Sequence, residues 1–272
     1  MVTNQNDIKE LVRERYGARA QRVIELSPVM EPAAEEQTDG CGCNVASACC
    51  GPEDMEHAMR LYNDGQLAGL PAESIAASAG CGNPTALAGL QPGERVLDLG
   101  SGGGIDCFLS AQQVGETGRV TGLDMTPSML ELARKNRDNL GFTNVEFVQG
   151  EIEAMPLPSD SYDVIISNCV VCLSPDKDAV FSESFRVLAP GGRIHLSDVL
   201  ALTPQGPAVT DAESWVACAA GAEFHEVYTD RLRRAGFEDI EVNGEGVEFW
   251  DESEKTTYTN TASFKVTARK PV

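Results

Sequence analysis

The chain is poor in basic residues and lacks any long apolar run. Its 272 residues include 21 Lys and Arg against 42 Asp and Glu, so the net charge is −21 at pH 7. A surface this acidic repels phosphates, which argues against a nucleic-acid partner. No apolar stretch approaches the roughly 20 residues of a membrane helix, and no secretory signal is visible behind the polar start. We therefore expect a cytoplasmic protein with no nucleic-acid and no membrane partner.

Histidine is scarce, whereas cysteine is abundant. His57, His195 and His225 form no recognisable acid–base arrangement, and we interpret them as structural or solvated side chains. Nine cysteines are many for a chain of this length in a reducing compartment, where disulfides are not the default explanation. Metal binding, catalysis and ordinary core packing remain as their possible roles.

Short β-rich runs alternate with helical stretches from residue 94 onwards. Strands are predicted over 95–99, 119–124, 145–148, 162–167 and 193–197, with two closing strands over 240–242 and 263–268. Helices are predicted between and after them, over 105–114, 127–140, 176–188, 212–221 and 229–235. This alternation implies a mostly parallel, seven-stranded sheet with helices on both faces. Ahead of the sheet, the pattern predicts helices over 7–25, 54–67 and 72–79, and a Cys-rich loop over 27–53.

A glycine-rich turn follows the first predicted strand and precedes a helix. The run from Asp98 to Gly104 reads DLGSGGG, and its glycines let the backbone pass close to a ligand. The spacing does not match the G-x-x-x-x-G-K-[ST] pattern of the phosphate-binding P-loop. It also does not match the full dinucleotide loop, because Ile105 occupies the last glycine position of that pattern. Asp124 ends the second predicted strand, where a carboxylate can accept both ribose hydroxyls of a nucleoside.

Together with the segments 150–153 (GEIE) and 185–192 (FRVLAPGG), this set resembles the class I S-adenosylmethionine (SAM)-dependent methyltransferases. The resemblance covers roughly residues 75–200. It implies a Rossmann-like α/β fold with strand order 3-2-1-4-5, and it implies SAM as the cofactor. Its cofactor-binding residues would be those at the methionine end, the ribose, the adenine and the amino-acid moiety: Asp98, Gly100, Ser101 and Gly102, then Asp124 and Met125, then Ile152 and Glu153, and finally Asn168.

Three cysteines can reach one mouth of such a sheet. Cys169 follows the fourth predicted strand, next to the reversal of strand order where ligands bind in this type of fold. Cys81 lies in a loop just before the first strand, and Cys218 lies in a predicted helix after the fifth. Three thiolates without a fourth ligand suit a soft, trigonal centre that carries a lone pair, such as trivalent arsenic.

The strings around these cysteines closely resemble the arsenite methyltransferases, from about residue 7 to 240: GCGNP at 80–84, SNCV at 167–170 and WVAC at 215–218. The resemblance implies that Cys81, Cys169 and Cys218 hold As(III), supplied as arsenite or its thiol conjugate. The arsenic lone pair then attacks the methyl group of SAM, so no general base is needed. It also implies a role for the Cys49-Cys50 pair in delivering arsenic or renewing the site, with glutathione or thioredoxin as the external thiol reductant.

The resemblance also implies a three-part organisation. Residues 1–75 form an N-terminal helix and Cys-rich extension, residues 76–202 form the SAM-binding domain, and residues 203–272 form a C-terminal substrate-binding part with the closing strands.

Some cysteines leave alternatives open. Cys172 stands where the family usually has asparagine, and it is either a fourth ligand or a resolving thiol. Cys41 and Cys43 capture metalloid, bind zinc with Cys49 and Cys50, or are idle; Cys107 is interpreted as core.

Two other functions stay open. The first is methylation of carbon or oxygen in a small organic acceptor, and the second is metalloid binding without catalysis.

The acidic composition generates one prediction. It serves either solubility or life in a salty cytoplasm, where a dense carboxylate surface is useful. If the second interpretation holds, the melting temperature rises between low and molar salt, as thermal unfolding followed by circular dichroism can measure. A melting temperature that stays flat or falls over this range contradicts it.

Overall fold

The computed structural model describes residues 5–26, 58–204, 212–244 and 261–272. The predicted loop over 27–53 lies outside these ranges, and so do Cys41, Cys43, Cys49, Cys50 and His57. No helix within the described ranges is both long and apolar enough to cross a membrane.

The centre of the fold is one seven-stranded sheet in the order β3-β2-β1-β4-β5-β7-β6. The first five strands are parallel, and β7 runs antiparallel to both β5 and β6. The strand bounds are β1 Arg95–Leu99, β2 Arg119–Asp124, β3 Val145–Gln149, β4 Tyr162–Asn168, β5 Leu188–Ala201, β6 Glu238–Gly244 and β7 Thr261–Arg269. The predicted seven strands and their order 3-2-1-4-5 are confirmed.

Helices cover the sheet and the cleft at its edge. They span Gln5–Leu26, Asp64–Leu67, Ala72–Ala77, Pro84–Ala88, Ile105–Val114, Pro127–Leu140, Lys177–Val187, Ala212–Val216 and His225–Ala235, with a 3-10 turn at Val171–Leu173. Residues 58–61 are also helical. The helix Pro84–Ala88 was not predicted; it begins where the side chain of Asn83 accepts a hydrogen bond from the backbone N–H of Ala86.

The predicted helix over 212–221 is wrong in its second half. It ends at Val216 because Cys218 has a φ of 66°, a left-handed conformation that cannot continue a right-handed helix. Strand β5 is longer than the predicted 193–197, because it begins at Leu188 and passes a register shift before Arg193.

The core lies on both faces of the sheet. In β1, Val96, Leu97 and Leu99 are buried with almost no exposed surface, which is why this strand reads as a continuous apolar run around Asp98. The parallel strands β1, β2 and β4 end at the same edge of the sheet. The reversal of strand order between β1 and β4 opens this edge to a ligand.

Candidate active site

A cleft lies at the carboxyl ends of β1, β2 and β4. Its empty volume is about 970 Å³, open solvent at its mouth included. All nine residues that the sequence predicts as cofactor-binding line it: Asp98, Gly100, Ser101, Gly102, Asp124, Met125, Ile152, Glu153 and Asn168. The structure therefore brings the predicted cofactor residues into one cavity.

The glycine turn forms one wall of this cleft, and its backbone conformation demands glycine. Gly100 and Gly102 have φ angles of 70° and 50°, a region that L side chains rarely adopt. A Cβ on Gly100 would also overlap the side chain of Val170. The N–H of Gly102 donates to Asp124 Oδ2 at 2.9 Å, and the N–H of Thr126 donates to Oδ1 at 2.8 Å. Each oxygen of Asp124 keeps a further lone pair for a ligand hydroxyl.

Two buried carboxyls of the cleft, Asp98 and Asp106, form no ion pair with any described residue. Burial, followed by the charge of neighbouring Asp106, raises the pKa of Asp98 well above its usual range. Burial likewise raises the pKa of Asp106 to about 6. In addition, the buried Ser101 hydroxyl has no hydrogen-bond partner among the described residues. A ligand that carries positive charge and hydrogen-bonding groups would stabilise the ionised carboxylates and satisfy this hydroxyl.

Four thiols meet beside this cleft. The Sγ atoms of Cys169, Cys172 and Cys218 all lie within 4.8 Å of one another, and all three residues are buried. The fourth, Cys81, is half-buried and packs against the other three. The three cysteines predicted as substrate ligands are thus adjacent, and Cys172 joins them. Of the four, Cys169 also lines the cleft.

Two of these cysteines are held in unfavourable backbone conformations. Cys169 has a φ of 60° and Cys218 a φ of 66°. A non-glycine residue in this region costs on the order of 1 kcal/mol, and such strain clusters at functional sites. The N–H of Cys169 donates to Ser197 O at 2.7 Å, and the N–H of Cys218 donates to Trp215 O at 3.0 Å.

Asn168 connects the cleft with the thiols. Its Oδ1 accepts the backbone N–H groups of Cys81 at 2.9 Å and Gly82 at 3.1 Å. Its Nδ2 donates to Gly82 O at 2.8 Å, to the Tyr62 hydroxyl at 3.0 Å and to Asp106 Oδ2 at 3.2 Å. Asn168 lines the cleft as predicted, but its amide also fixes the loop that carries Cys81.

The first helix, Gln5–Leu26, covers both regions, which the sequence did not predict. Val12 and Tyr16 line the cleft, and Tyr16 also packs against the thiol cluster that contains Cys218. Lys9 Nζ pairs with Glu151 at 2.7 Å and with Glu153 at 3.3 Å, so it holds the helix over the predicted adenine-binding segment. The apolar spacing of this helix was visible in the sequence. The surface that the helix covers was not visible, because a local sequence pattern does not identify the distant residues against which a helix packs.

Among the described residues, Cys107 and two imidazoles lie apart from this centre. Cys107 is buried, as the core interpretation requires, and its Sγ donates to Asp98 Oδ2 at 3.2 Å. Burial lowers the pKa of His195 to about 4, so this imidazole is neutral. Neither His195 nor His225 lines the cleft.

The thiol cluster favours one thiolate. Hydrogen bonds from the Cys169 and Cys172 thiols lower the pKa of Cys218 to about 6. Hydrogen bonds with the neighbouring thiols, followed by burial, raise the pKa of Cys169, whereas burial is the main cause that raises the pKa of Cys172. At neutral pH, Cys218 is therefore the ionised member and the two neighbouring thiols are its donors.

Comparison with known proteins places this geometry in a family. A methyltransferase domain model matches residues 90–259. The arsenite methyltransferase of Halobacterium salinarum is 39% identical over 97% of this chain and 67% of its own length. The chain belongs to the arsenite methyltransferase family. The arsenite methyltransferase of Aquipseudomonas alcaligenes is 40% identical over 71% of this chain and 56% of its own length. The chain thus spans between about half and two thirds of these relatives.

A solved structure supports the same assignment. The crystal structure of an arsenic (III) S-adenosylmethionine methyltransferase from Chlamydomonas reinhardtii matches with a TM-score of 0.62 and 38% identity. The match covers 79% of this chain and 73% of that one. The chain is accordingly a methyltransferase with the class I fold that the sequence predicted.

The pKa of Cys218 predicts how the thiol cluster reacts with pH. Since its pKa is about 6, Cys218 reacts as a thiolate at pH 7, and its reactivity falls as the pH drops through 6 and the sulfur gains a proton. Its modification by a small methanethiosulfonate, located by mass spectrometry between pH 5 and 9, should have a midpoint near 6. A midpoint near about 8.5, the value of a free thiol, contradicts the proposed proton sharing.

The ion pairs of Lys9 predict that the first helix retains the ligand in the cleft. The Lys9→Met variant removes both pairs, so we expect SAM to dissociate several-fold faster, as stopped-flow fluorescence can measure. Arg233→Met is the matched control, because Arg233 pairs with Asp230 on an exposed helix away from the cleft. Equal dissociation rates for the wild type and Lys9→Met would show that the helix does not retain the ligand.

Proposed function

We propose that this chain transfers the methyl group of SAM to trivalent arsenic held by cysteine thiolates, as an arsenic detoxification enzyme. The observation that carries the proposal is the position of Cys169, which lines the cleft and belongs to the thiol cluster at the same time. A substrate atom bound to this sulfur lies at the boundary between the two regions. The family and the names of the relatives support the same reaction.

The cleft residues fit SAM. Bound SAM supplies a sulfonium-activated methyl group. The uncompensated carboxyls of Asp98 and Asp106 suit its positive charges, and Asp124, at the end of β2, suits the ribose hydroxyls. Ile152 and Glu153 line the same cleft, and we assign the adenine to them.

The thiols fit arsenite. Each thiol exchanges with one arsenic-bound hydroxyl, so that three As–S bonds form and three water molecules leave without any change in oxidation state. We assign Cys81, Cys169 and Cys218 to this role. Cys218 starts the exchange because it is already ionised, and the half-buried Cys81 lies on the more accessible side.

The chemistry needs positioning rather than proton transfer. The nucleophile is the arsenic lone pair, which carries no proton for a base to remove. The described histidines lie outside the cleft, in agreement with this requirement. What the chain supplies is a fixed direction for that lone pair, through thiols set in constrained backbone conformations.

Methyl transfer to a lone pair raises the oxidation state of arsenic by two, so turnover needs a reductant. We assign this role to an external thiol, glutathione or thioredoxin, acting with the Cys49-Cys50 pair. The requirement for reduced thiols also fits the expected cytoplasmic location.

The decisive experiment is arsenic speciation. Purified full-length protein is mixed with arsenite, SAM and a thiol reductant, and the products are separated and quantified by mass spectrometry. We expect methylated arsenicals from the wild type and at least about a hundredfold less from Cys169→Ser, because the variant loses the sulfur shared by both regions. Calorimetric SAM binding is the control, and it should be the same in both proteins.

The other outcomes point to different functions. Intact SAM binding with no methylated arsenic and no arsenite binding would favour a small organic acceptor, whose methylation Cys169→Ser should leave unchanged. Stoichiometric arsenite binding without methyl transfer would indicate a metalloid-binding protein.

A further inference from the structure

Cys172 belongs to the thiol cluster although it does not line the cleft. It lies in the 3-10 turn Val171–Leu173 and has no exposed surface. Its Sγ lies within 4.8 Å of both Cys169 and Cys218, whereas Cys81 falls outside that mutual distance. A bond of about 2.3 Å from each thiolate to a shared atom places three sulfurs at most about 4 Å apart. The buried triad therefore needs to contract by on the order of an ångström for its sulfurs to share one atom.

The fold holds Cys172 in this position from several sides. Its N–H donates to Asp198 Oδ1 at 3.2 Å, and Asp198 Oδ2 accepts the Tyr228 hydroxyl at 3.0 Å. The buried Lys177 donates to the carbonyl of Cys172 at 3.5 Å. A Cβ on Gly221 would overlap that same carbonyl, so the turn after Cys218 packs directly on Cys172. These contacts of buried side chains and backbone fix the position of Cys172 next to Cys218.

Cys107 shows what an ordinary buried cysteine looks like in this chain. It is as buried as Cys172, but its thiol donates to a carboxylate, and it joins no group of three ligands among the described residues. Core packing accounts for the burial of both residues. It does not account for two further thiols whose Sγ atoms lie within 4.8 Å of that of Cys172.

We propose that Cys172 is an arsenic ligand, which forms with Cys169 and Cys218 a second three-sulfur set beside the set completed by Cys81. This inference rests on the proposed function for the identity of the substrate. The chemistry is the same exchange: each thiol loses its proton to an arsenic-bound hydroxyl that leaves as water, and nothing is oxidised or reduced. The two sets share Cys169 and Cys218, so arsenic can pass from one to the other by exchanging a single As–S bond.

The two sets differ in their surroundings. Cys81 is half-buried, and its loop is fixed by Asn168 at the cleft. Cys172 lies at the closed side, against Asp198 and Tyr228. The set of Cys169, Cys172 and Cys218 therefore retains arsenic when the loop of Cys81 moves. The substrate then remains bound by three sulfurs.

The test is arsenite binding by the full-length chain in which Cys41, Cys43, Cys49 and Cys50 are changed to serine, so that only the described thiols remain. In this background we compare Cys81→Ser, Cys172→Ser and the double variant. Equilibrium dialysis gives the affinity, and X-ray absorption at the arsenic edge gives the number of sulfur neighbours. Each single variant should bind one arsenic through three sulfurs. The double variant should keep two sulfurs and bind more than tenfold more weakly than either.

Folding controls keep the result interpretable. Cys172→Ala replaces Cys172→Ser if the buried hydroxyl unfolds the protein, and Cys107→Ser tests the loss of a buried thiol outside the cluster. The melting temperature and SAM binding of the double variant should match those of the single variants.

The contrary results are distinct from failure of the proposed function. If Cys81→Ser alone leaves two sulfurs and the double variant is no weaker, Cys172 is not a ligand, although the wild type can still methylate arsenic. If all variants bind as predicted but the wild type transfers no methyl group, the proposed function fails and the ligand assignment stands. If the background protein binds no arsenite although the wild type does, the ligand assignment is overturned; if neither protein binds it, the proposed function is overturned as well.

Discussion

The side-chain amide of Asn168 is the contact on which the geometry of the site depends. It ends β4, and it is bonded on one side to the loop of Cys81 and on the other to Tyr62 and Asp106. The next residue in the chain is Cys169. A single side chain therefore sets the distance between the loop thiol and the strand-end thiol, and it also borders the cleft. A Cβ on Gly80 would overlap this amide, so the loop can approach it only because that position is glycine.

The thiols come close to one another because two residues adopt strained backbone conformations and because a glycine allows close packing of the backbone. Cys169 and Cys218 adopt left-handed conformations, which turn their thiols away from the path that a continuing strand or helix would take. Gly221 lets the segment after Cys218 pack against the carbonyl of Cys172. Apolar side chains, among them Val12, Leu173 and Val216, pack around the three buried thiols of the cluster.

The two halves of the site differ in charge. The cleft collects carboxyls, which suit a cationic ligand, whereas the cluster is an apolar pocket with one favoured thiolate. Arsenite is neutral near pH 7, so the strongly acidic surface of the chain does not repel it. The first helix closes over both halves, with Lys9 on the carboxylates of the cleft and Tyr16 against Cys218. One element thereby borders both regions.

The sequence alone determined the sheet, the strand order and, through the family resemblance, nine of the residues that line the cleft. The sheet and the position of the cleft follow from local patterns: apolar strands, a glycine turn, and acids at strand ends whose side of a parallel sheet is known in advance. Only the tertiary structure decided that Cys172 joins the three predicted thiols, how Asn168 is used, and that the first helix covers the site. Cys172 and Cys81 are 91 positions apart, and Tyr16 lies further still from Cys218. Contacts over such separations depend on how whole elements pack, and no local pattern encodes that packing.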